Sequence, residues 1–317
     1  MNYINRFCAG WRDLMENKSD PRTSEWFLMS SPLPTAAICL AYVVIVKIVG
    51  PKLMENRKPY KLKNVLIFYN FLQVIFSTWL FYEASSTGWL TDYSYRCQPV
   101  DYTRSENGMR IARGCYWYYI SKFTEFLDTF FFVMRKRYDQ VSTLHVIHHG
   151  IMPFSVWWGV KFTPGGHSSF FGFINTFVHI VMYFYYMLAA MGPQMQKYLW
   201  WKKYLTLLQM VQFIMVMVHA FQLLLYNPCN YPIAFVWWIG AHAVMFYFLF
   251  SNFYKQAYKK KRIAAEKKKD REHKYINNND STKDYHYGTT QLYYSPTDKM
   301  EESYSTTRQR VFIGSKN

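Results

Sequence analysis

Val141-Ser-Thr-Leu-His145-Val-Ile-His148-His149-Gly-Ile-Met-Pro-Phe-Ser-Val-Trp-Trp-Gly-Val160 reads as a membrane-crossing helix that carries three imidazoles. About 20 mostly apolar residues are what a helix needs to cross the hydrocarbon of a bilayer. The length and apolar content of this stretch set the fold class, and its histidines set the place to look for chemistry. Positions three and four apart are neighbours on a helix, so His145, His148 and His149 share one face. Ionisable groups inside a membrane span are expensive to keep and mark functional sites by default.

Outward from this segment, windows of similar length and character recur at 33–50, 64–84, 115–134, 168–190, 204–226 and 232–253. With 141–160 they make seven expected spans, and the chain reads as an all-α integral membrane protein. Residues are 51% hydrophobic and 21% aromatic, yet the mean hydropathy is only -0.16. That value averages an apolar body with a polar tail, and Tyr and Trp, which suit membrane interfaces, score as nearly polar. Residues 1–30 lack a basic-then-apolar start, so no cleaved leader is expected. Three regions follow: a short polar lead over 1–32 with an interfacial piece around Trp11 and Trp26, a membrane domain over 33–254, and a basic tail over 255–317. The tail's composition cannot bury enough apolar surface to fold alone, so disorder is expected there.

Lys and Arg placement orients the spans. Lys52, Arg57, Lys58, Lys61 and Lys63 fill the first connection, Arg135, Lys136 and Arg137 the third, and Lys197, Lys202 and Lys203 the fifth. The tail opens on Lys255 and then Lys259-Lys-Lys-Arg262. Those segments are expected in the cytosol, which leaves the N-terminus lumenal and the C-terminus cytosolic. The net charge of +17 then reflects topology, and no nucleic-acid-binding motif is present. Cys97 and Cys229 fall in two different lumenal connections, where oxidising conditions favour a disulfide over two free thiols. Asn17-Lys-Ser19 is a glycosylation sequon on the same side.

The third span carries Lys122, Glu125, Asp128 and Thr129 along one stripe of a helix. Each mid-membrane charge costs roughly 2.5–3.5 kcal/mol, so three without partners cost on the order of 8–10 kcal/mol. The stripe must face protein or water, either as an ion-pair staple or as part of a polar site. The fifth span repeats the logic with Asn175 and His179, followed by Met182, Tyr183 and Tyr186. The sixth has Thr206, Gln209 and Gln212, amides that also suit plain interhelical hydrogen bonding. Two chemistries fit a buried His-x-x-His-His. Membrane di-iron desaturases and hydroxylases bind metal with histidines spread over several such motifs. Here six histidines lie in expected spans and one cluster has the spacing, which is short of that ligand count. The other is metal-free: a neutral imidazole is both a nucleophile and a general base. A seven-span receptor fits the span count and the lumenal N-terminus, but not the charged stripe or the clustered histidines.

Lys122-x-x-Glu125-x-x-Asp128-Thr129, Leu144-His145-Val-Ile-His148-His149, Asn175-x-x-x-His179-x-x-Met182-Tyr183-x-Tyr185-Tyr186 and Thr206-x-x-Gln209-x-x-Gln212 occur in this order. Together they resemble the very-long-chain fatty acid elongases of the endoplasmic reticulum, over about residues 25–255. Gln140 and the Leu-His-Val lead resemble the branch that includes elongases of saturated and monounsaturated chains. The resemblance implies an acyltransferase, a 3-oxoacyl-CoA synthase that condenses acyl-CoA with malonyl-CoA to 3-ketoacyl-CoA, CO2 and CoA, with no cofactor. It implies six helices in an inverted barrel around a closed-ended acyl tunnel open to the cytosol, with a seventh helix outside. The family's ping-pong scheme would make His148 the acyl acceptor. His145 and His149 would orient it and move protons, and His179 with Asn175 would bind the malonyl carboxylate or enolate. Lys122, Glu125, Asp128, Tyr183, Tyr186, Gln209 and Gln212 would line the pocket, and Lys202 and Lys203 would draw CoA phosphates to its mouth. Expected partners are membrane lipid, a second copy in a homodimer, and the ketoreductase, dehydratase and enoyl reductase of the elongation cycle.

Overall fold

The structure is a computed structural model that describes residues 3–280, and among these every regular element is a helix. Helix α1 spans Tyr3–Asn17. Helix α2 spans Pro32–Met54 and α3 spans Lys63–Trp89, each with one π turn, at Ile45–Val49 and Ser85–Trp89. Helices α4 (Glu106–Thr124), α5 (Phe126–Met134) and α6 (Thr143–Phe162) follow. Helix α7 spans Gly166–Ala190, α8 spans Lys202–Leu225 and α9 spans Ile233–Asp280.

Local sequence explains the helix starts. Ser31 accepts from the Leu33 amide with Pro32 in the first turn, Ser105 accepts from Gly108, and Ser142 accepts from His145. Each hydroxyl satisfies one of the backbone donors that a helix start leaves open. Pro32 loses nothing at that position, where its missing N–H would have no helical partner.

Five helices are long and apolar enough to cross a membrane by length and composition: α2, α3, α7, α8 and the Ile233–Gln256 part of α9. The protein is therefore an all-helical, multi-pass membrane protein. The expected spans 115–134 and 141–160 are not among the five: the histidines lower the hydropathy of the second, and the first is both charged and broken. The stretch expected as a single span from 115 to 134 is two helices that meet at Glu125, and α4 begins earlier, at Glu106. Polar residues such as Arg110 and Arg113 hid that first half from a hydropathy window.

Helix α6 packs against α2 and α4, α4 against α3, α3 along most of α7, and α7 against α8. Phe213 of α8 and Met152 of α6 both join a core cluster with Phe246 of α9, so the helix contacts run in a closed circuit. Helix α2 stays outside that circuit, with Tyr42 stacked on Phe126 at 4.1 Å between ring centres. Between helices in lipid, such close packing and polar contacts replace the hydrophobic effect as the cohesive force.

At the end where α3 stops and α4, α7 and α9 start, Cys97 and Cys229 are joined by a disulfide with Cα atoms 5.9 Å apart. The chain divides into two units, Met1–Lys260 and Lys261–Asn317. Within the expected tail, α9 continues to Asp280. That stretch is dense in Lys, Ala, Glu and Arg, holds no Pro or Gly, and so favours helix. Residues 281–317, the rest of the expected tail, lie outside the described residues.

Candidate active site

The joint between α4 and α5 puts a carboxylate at the centre of the polar site. Thr124 and Ser121 turn their hydroxyls back onto the carbonyls of Ser121 and Tyr118, a local bonding pattern that loosens a helix. Glu125 follows at the break. Its Oε1 accepts from Lys122 Nζ at 2.5 Å and lies 3.3 Å from His179 Nδ1, while Oε2 lies 3.9 Å from His149 Nδ1. Lys122 and Glu125 are each 2% exposed, so neither charge is solvated and each stands on the other. Removing one partner of such a pair is far more costly than removing both.

Lys122 also donates to Asn175 Oδ1 at 3.1 Å and sits over the Tyr118 ring, 4.4 Å from its centre. Tyr118 donates to the same Asn175 oxygen at 2.8 Å, and Asn175 Nδ2 donates to Gln212 Oε1 at 3.3 Å. One hydrogen-bonded chain therefore links α4, α7 and α8. Asp128 accepts from the Tyr183 hydroxyl at 2.8 Å. Tyr69 on α3 donates to the Thr124 carbonyl, and Gln73 donates to the Tyr69 and Thr124 hydroxyls.

The histidine helix meets this network from the other side. His145 Nε2 is 2.8 Å from Thr129 Oγ1, which is itself 2.8 Å from the Tyr42 hydroxyl. The His145 and His149 rings lie 4.3 Å apart and those of His148 and His149 5.4 Å apart. Phe246 and Phe250 of α9 flank His148, with ring centres at 4.7 Å and 6.2 Å. The Nδ1 atoms of His148 and His149 are buried with no hydrogen-bond partner among the described residues. A neutral imidazole in an aromatic wall, with a free ring nitrogen, is available as a nucleophile.

Of the residues singled out in sequence, His145, His148, His149, His179, Lys122, Glu125, Asp128, Asn175, Tyr183 and Gln212 converge here. Gln209 lies one turn away and donates to Met182 Sδ at 3.4 Å. Tyr186 lies 37% exposed beside Tyr183, at the rim. Lys202 and Lys203 are exposed in the first turn of α8, six to ten residues before Gln209 and Gln212, which is roughly 9–15 Å along the helix. Asn17 is exposed at the end of α1, its amide donating to Asp13 at 2.9 Å. Sequence reading passed over Tyr118, Tyr42, Tyr69, Gln73, Phe246 and Phe250. Tyr118 was findable, four residues before Lys122 on the same stripe, whereas Tyr42 carries no local signal. Among the described residues no three His, Cys, Asp or Glu side chains are grouped as metal ligands.

A mostly apolar cavity of about 110 Å³ adjoins the site. Tyr118, Thr176, Ser155 and Trp238 line it at the level nearest the histidines, and Glu83 and Arg110 at the other end. Tyr118 and Arg110 are eight residues apart on α4, which sets about 12 Å between those levels. Arg110 grips Glu83 with two hydrogen bonds of 2.7 and 3.0 Å and reaches Ser86 at 3.1 Å.

Comparison with known proteins agrees with this architecture. The family described as "ELO: GNS1/SUR4 family" matches residues 27–266. The chain is 72% identical over 261 residues to the very long chain fatty acid elongase 7 of Drosophila melanogaster, which covers 82% of this chain and 79% of that protein. It is 52% identical over 243 residues to the very long chain fatty acid elongase 7 of Rattus norvegicus, covering 76% and 86%. It is 44% identical over 254 residues to the very long chain fatty acid elongase 1 of Homo sapiens, covering 79% and 90%. The match takes in every helix from α2 to α8 and every residue of the Glu125 network, and by it this chain belongs to the ELO (GNS1/SUR4) family.

Proposed function

We propose that the protein is a fatty acid elongase that carries out the condensing step, joining an acyl-CoA to malonyl-CoA. The observation that carries the reading is the convergence of four sequence motifs on one buried carboxylate, Glu125, beside an apolar cavity suited to a hydrocarbon chain. His148 attacks the acyl thioester through its free ring nitrogen. A carbon–nitrogen bond forms, the carbon–sulfur bond breaks, and CoA leaves with the ring proton as a thiol. Malonyl-CoA then loses CO2, and the electron pair left on its α-carbon forms the new carbon–carbon bond at the acyl carbonyl. The imidazole departs and regains a proton, so each turnover takes up one proton. Splitting the condensation at an acyl-histidine replaces one hard step with two easier ones.

Within this scheme Glu125 positions His179 through one oxygen, 3.3 Å from its Nδ1, and sets a negative charge 3.9 Å from His149 Nδ1. His179 and Asn175 stand where a malonyl carboxylate or an enolate oxygen would be bound, and preorganised donors aimed at developing charge supply much of such catalysis. Lys122, Asp128, Tyr183 and Gln212 support them, with Gln209 and Tyr186 lining the approach. Lys202 and Lys203 attract CoA phosphates from the cytosolic side. The fold we propose has seven spans, counting α4 with α5 and α6, with six of them in an inverted barrel and α2 outside. The closed circuit of helix contacts supports that arrangement. The N-terminus is lumenal, the C-terminus cytosolic, and the membrane that of the endoplasmic reticulum. No redox cofactor takes part. The protein works as a homodimer beside the reductases and dehydratase that complete the cycle.

The test is purified protein incubated with labelled malonyl-CoA and a panel of acyl-CoAs, without reductant. Labelled 3-ketoacyl-CoA from the wild type, absent with His148→Ala, is the expected result. No ketoacyl product with any acyl-CoA from folded protein would overturn the reading. Acyl groups still covalently retained by His148→Ala would move the nucleophile elsewhere.

A further inference from the structure

Helix α1 carries an apolar stripe that the protein covers only in part. Tyr3, Ile4, Phe7, Trp11, Leu14 and Met15 recur at the spacing that puts them on one face of a helix, and Asn5, Arg6, Arg12, Asp13 and Glu16 fall on the other,. The second half of the stripe is docked. Leu14 and Met15 pack on the cluster of Met29, Trp157 and Phe162, and Trp11 meets Trp158 edge to face with ring centres 6.3 Å apart. The first half is bare: Tyr3 is 91% exposed, Ile4 72% and Phe7 71%.

The level at which α1 is docked identifies what covers the rest. Its anchor is the last turns of α6, and Phe162 at the end of α6 reaches Phe235 in the first turn of α9, with ring centres 6.3 Å apart. That turn opens one of the apolar membrane-length segments. Rings gather at this level, with Trp158 stacked on Phe162 at 5.8 Å between ring centres and Trp237 55% exposed one turn into α9. A girdle of Trp and Tyr marks the boundary between headgroups and acyl chains. The segment after α1 is held at that level too, since the Asp20 amide donates to the Lys161 carbonyl at 2.8 Å and Arg22 grips both Asp20 and the Thr103 carbonyl.

We propose that α1 is an interfacial helix. It lies in the bilayer surface at the disulfide end of the bundle, with Tyr3, Ile4 and Phe7 in the acyl-chain boundary and Arg6 and Arg12 among the headgroups. The stripe that Leu14 and Met15 dock against protein continues through Trp11, 39% exposed, into lipid without a break. A helix with a strongly apolar face and a charged, polar back is the kind that lies in this plane. Its partner is the lipid surface, and the anchor fixes where the far end of the histidine helix α6 sits relative to that surface.

The full-length protein, reconstituted in phosphatidylcholine nanodiscs, tests this with nitroxide labels. Single cysteines at Ile4, Asn5, Phe7 and Arg12 are introduced into a Cys8→Ser background, and the background alone reports any labelling of Cys39 and Cys115. Oxygen, which concentrates in lipid, is expected to relax the labels at Ile4→Cys and Phe7→Cys more than a water-soluble nickel chelate does. The order is expected to reverse at Asn5→Cys and Arg12→Cys. Where a substitution folds poorly, native Cys8, which borders the stripe, reports depth in the unaltered chain and is expected to exceed Arg12→Cys in oxygen contact. Chelate contact at every position would overturn the proposal. So would labels at Ile4→Cys and Phe7→Cys shielded from both relaxants and broadened by each other, which would assign the stripe to a second copy of the chain.

Discussion

Glu125 takes a cation on one oxygen and an imidazole beside each, all of them buried from bulk solvent. Glu125→Ala leaves Lys122 buried and unpaired, and a loss of about 3–5 kcal/mol follows from breaking a buried pair on one side. The double variant Lys122→Met, Glu125→Gln removes both charges, and thermal unfolding in detergent is expected to show it more stable than Glu125→Ala alone. A double variant no better than the single one would mean that the two charges do not stand on each other. Thr129 belongs to the same scale. Its hydroxyl links Tyr42 to His145, so Thr129→Val strands two buried polar groups at about 1–3 kcal/mol. Condensing activity is expected to fall more with Thr129→Val than with Tyr42→Phe, which leaves the His145 contact intact. Equal activity in both variants would remove Thr129 from the positioning of His145. His148, His145, Lys122 and Glu125 were all legible as sequence because apolar surroundings make each one conspicuous. Thr129 stood in the motif without a role until Tyr42 appeared across from it.

At the scale of elements, α8 and α9 approach so closely that one position tolerates no side chain. A Cβ placed at Gly240 would lie 2.2 Å from the Phe221 ring. Gly240→Ala is therefore expected to force the helices apart or drive Phe221 from its site, at about 1–3 kcal/mol for overpacking. Adding Phe221→Ala should return part of that loss by making room, and a melting experiment on the single and double variants reads it. A Gly240→Ala protein as stable as the parent would show that α9 shifts freely there. The split of the third span at Glu125 is also an element-scale fact. A hydropathy window averages over the break, and only backbone geometry reveals that Ser121 and Thr124 bend their hydroxyls onto the chain just before it. The early start of α4 escaped for the same reason: helices that face protein on one side need not be apolar throughout.

For the whole molecule, the disulfide closes a loop of 132 residues between the α3–α4 and α8–α9 connections. Breaking it with Cys229→Ser is expected to lower stability by about 2–5 kcal/mol, chiefly by freeing the unfolded chain. A lower midpoint in thermal unfolding, with a mobility change on a non-reducing gel, checks this. An unchanged midpoint and mobility would mean that the two thiols are free in the purified protein.

Sequence alone determined that this chain crosses a membrane several times, because about 20 apolar residues in a row have no cheaper place to be than lipid. It also determined which polar residues matter, since each charge or imidazole within such a run must be compensated by something. What compensates each was decided only by the tertiary structure. Residues 42, 69, 118, 175 and 212 come from different helices, and nothing in their local sequence says that their polar groups bond around the same site. Helix periodicity assigns a residue to a face, but the rotation and neighbours of each helix are set by packing across the whole bundle. The reach of Tyr42 to Thr129, the break at Glu125 and the half-covered stripe of α1 exist only there.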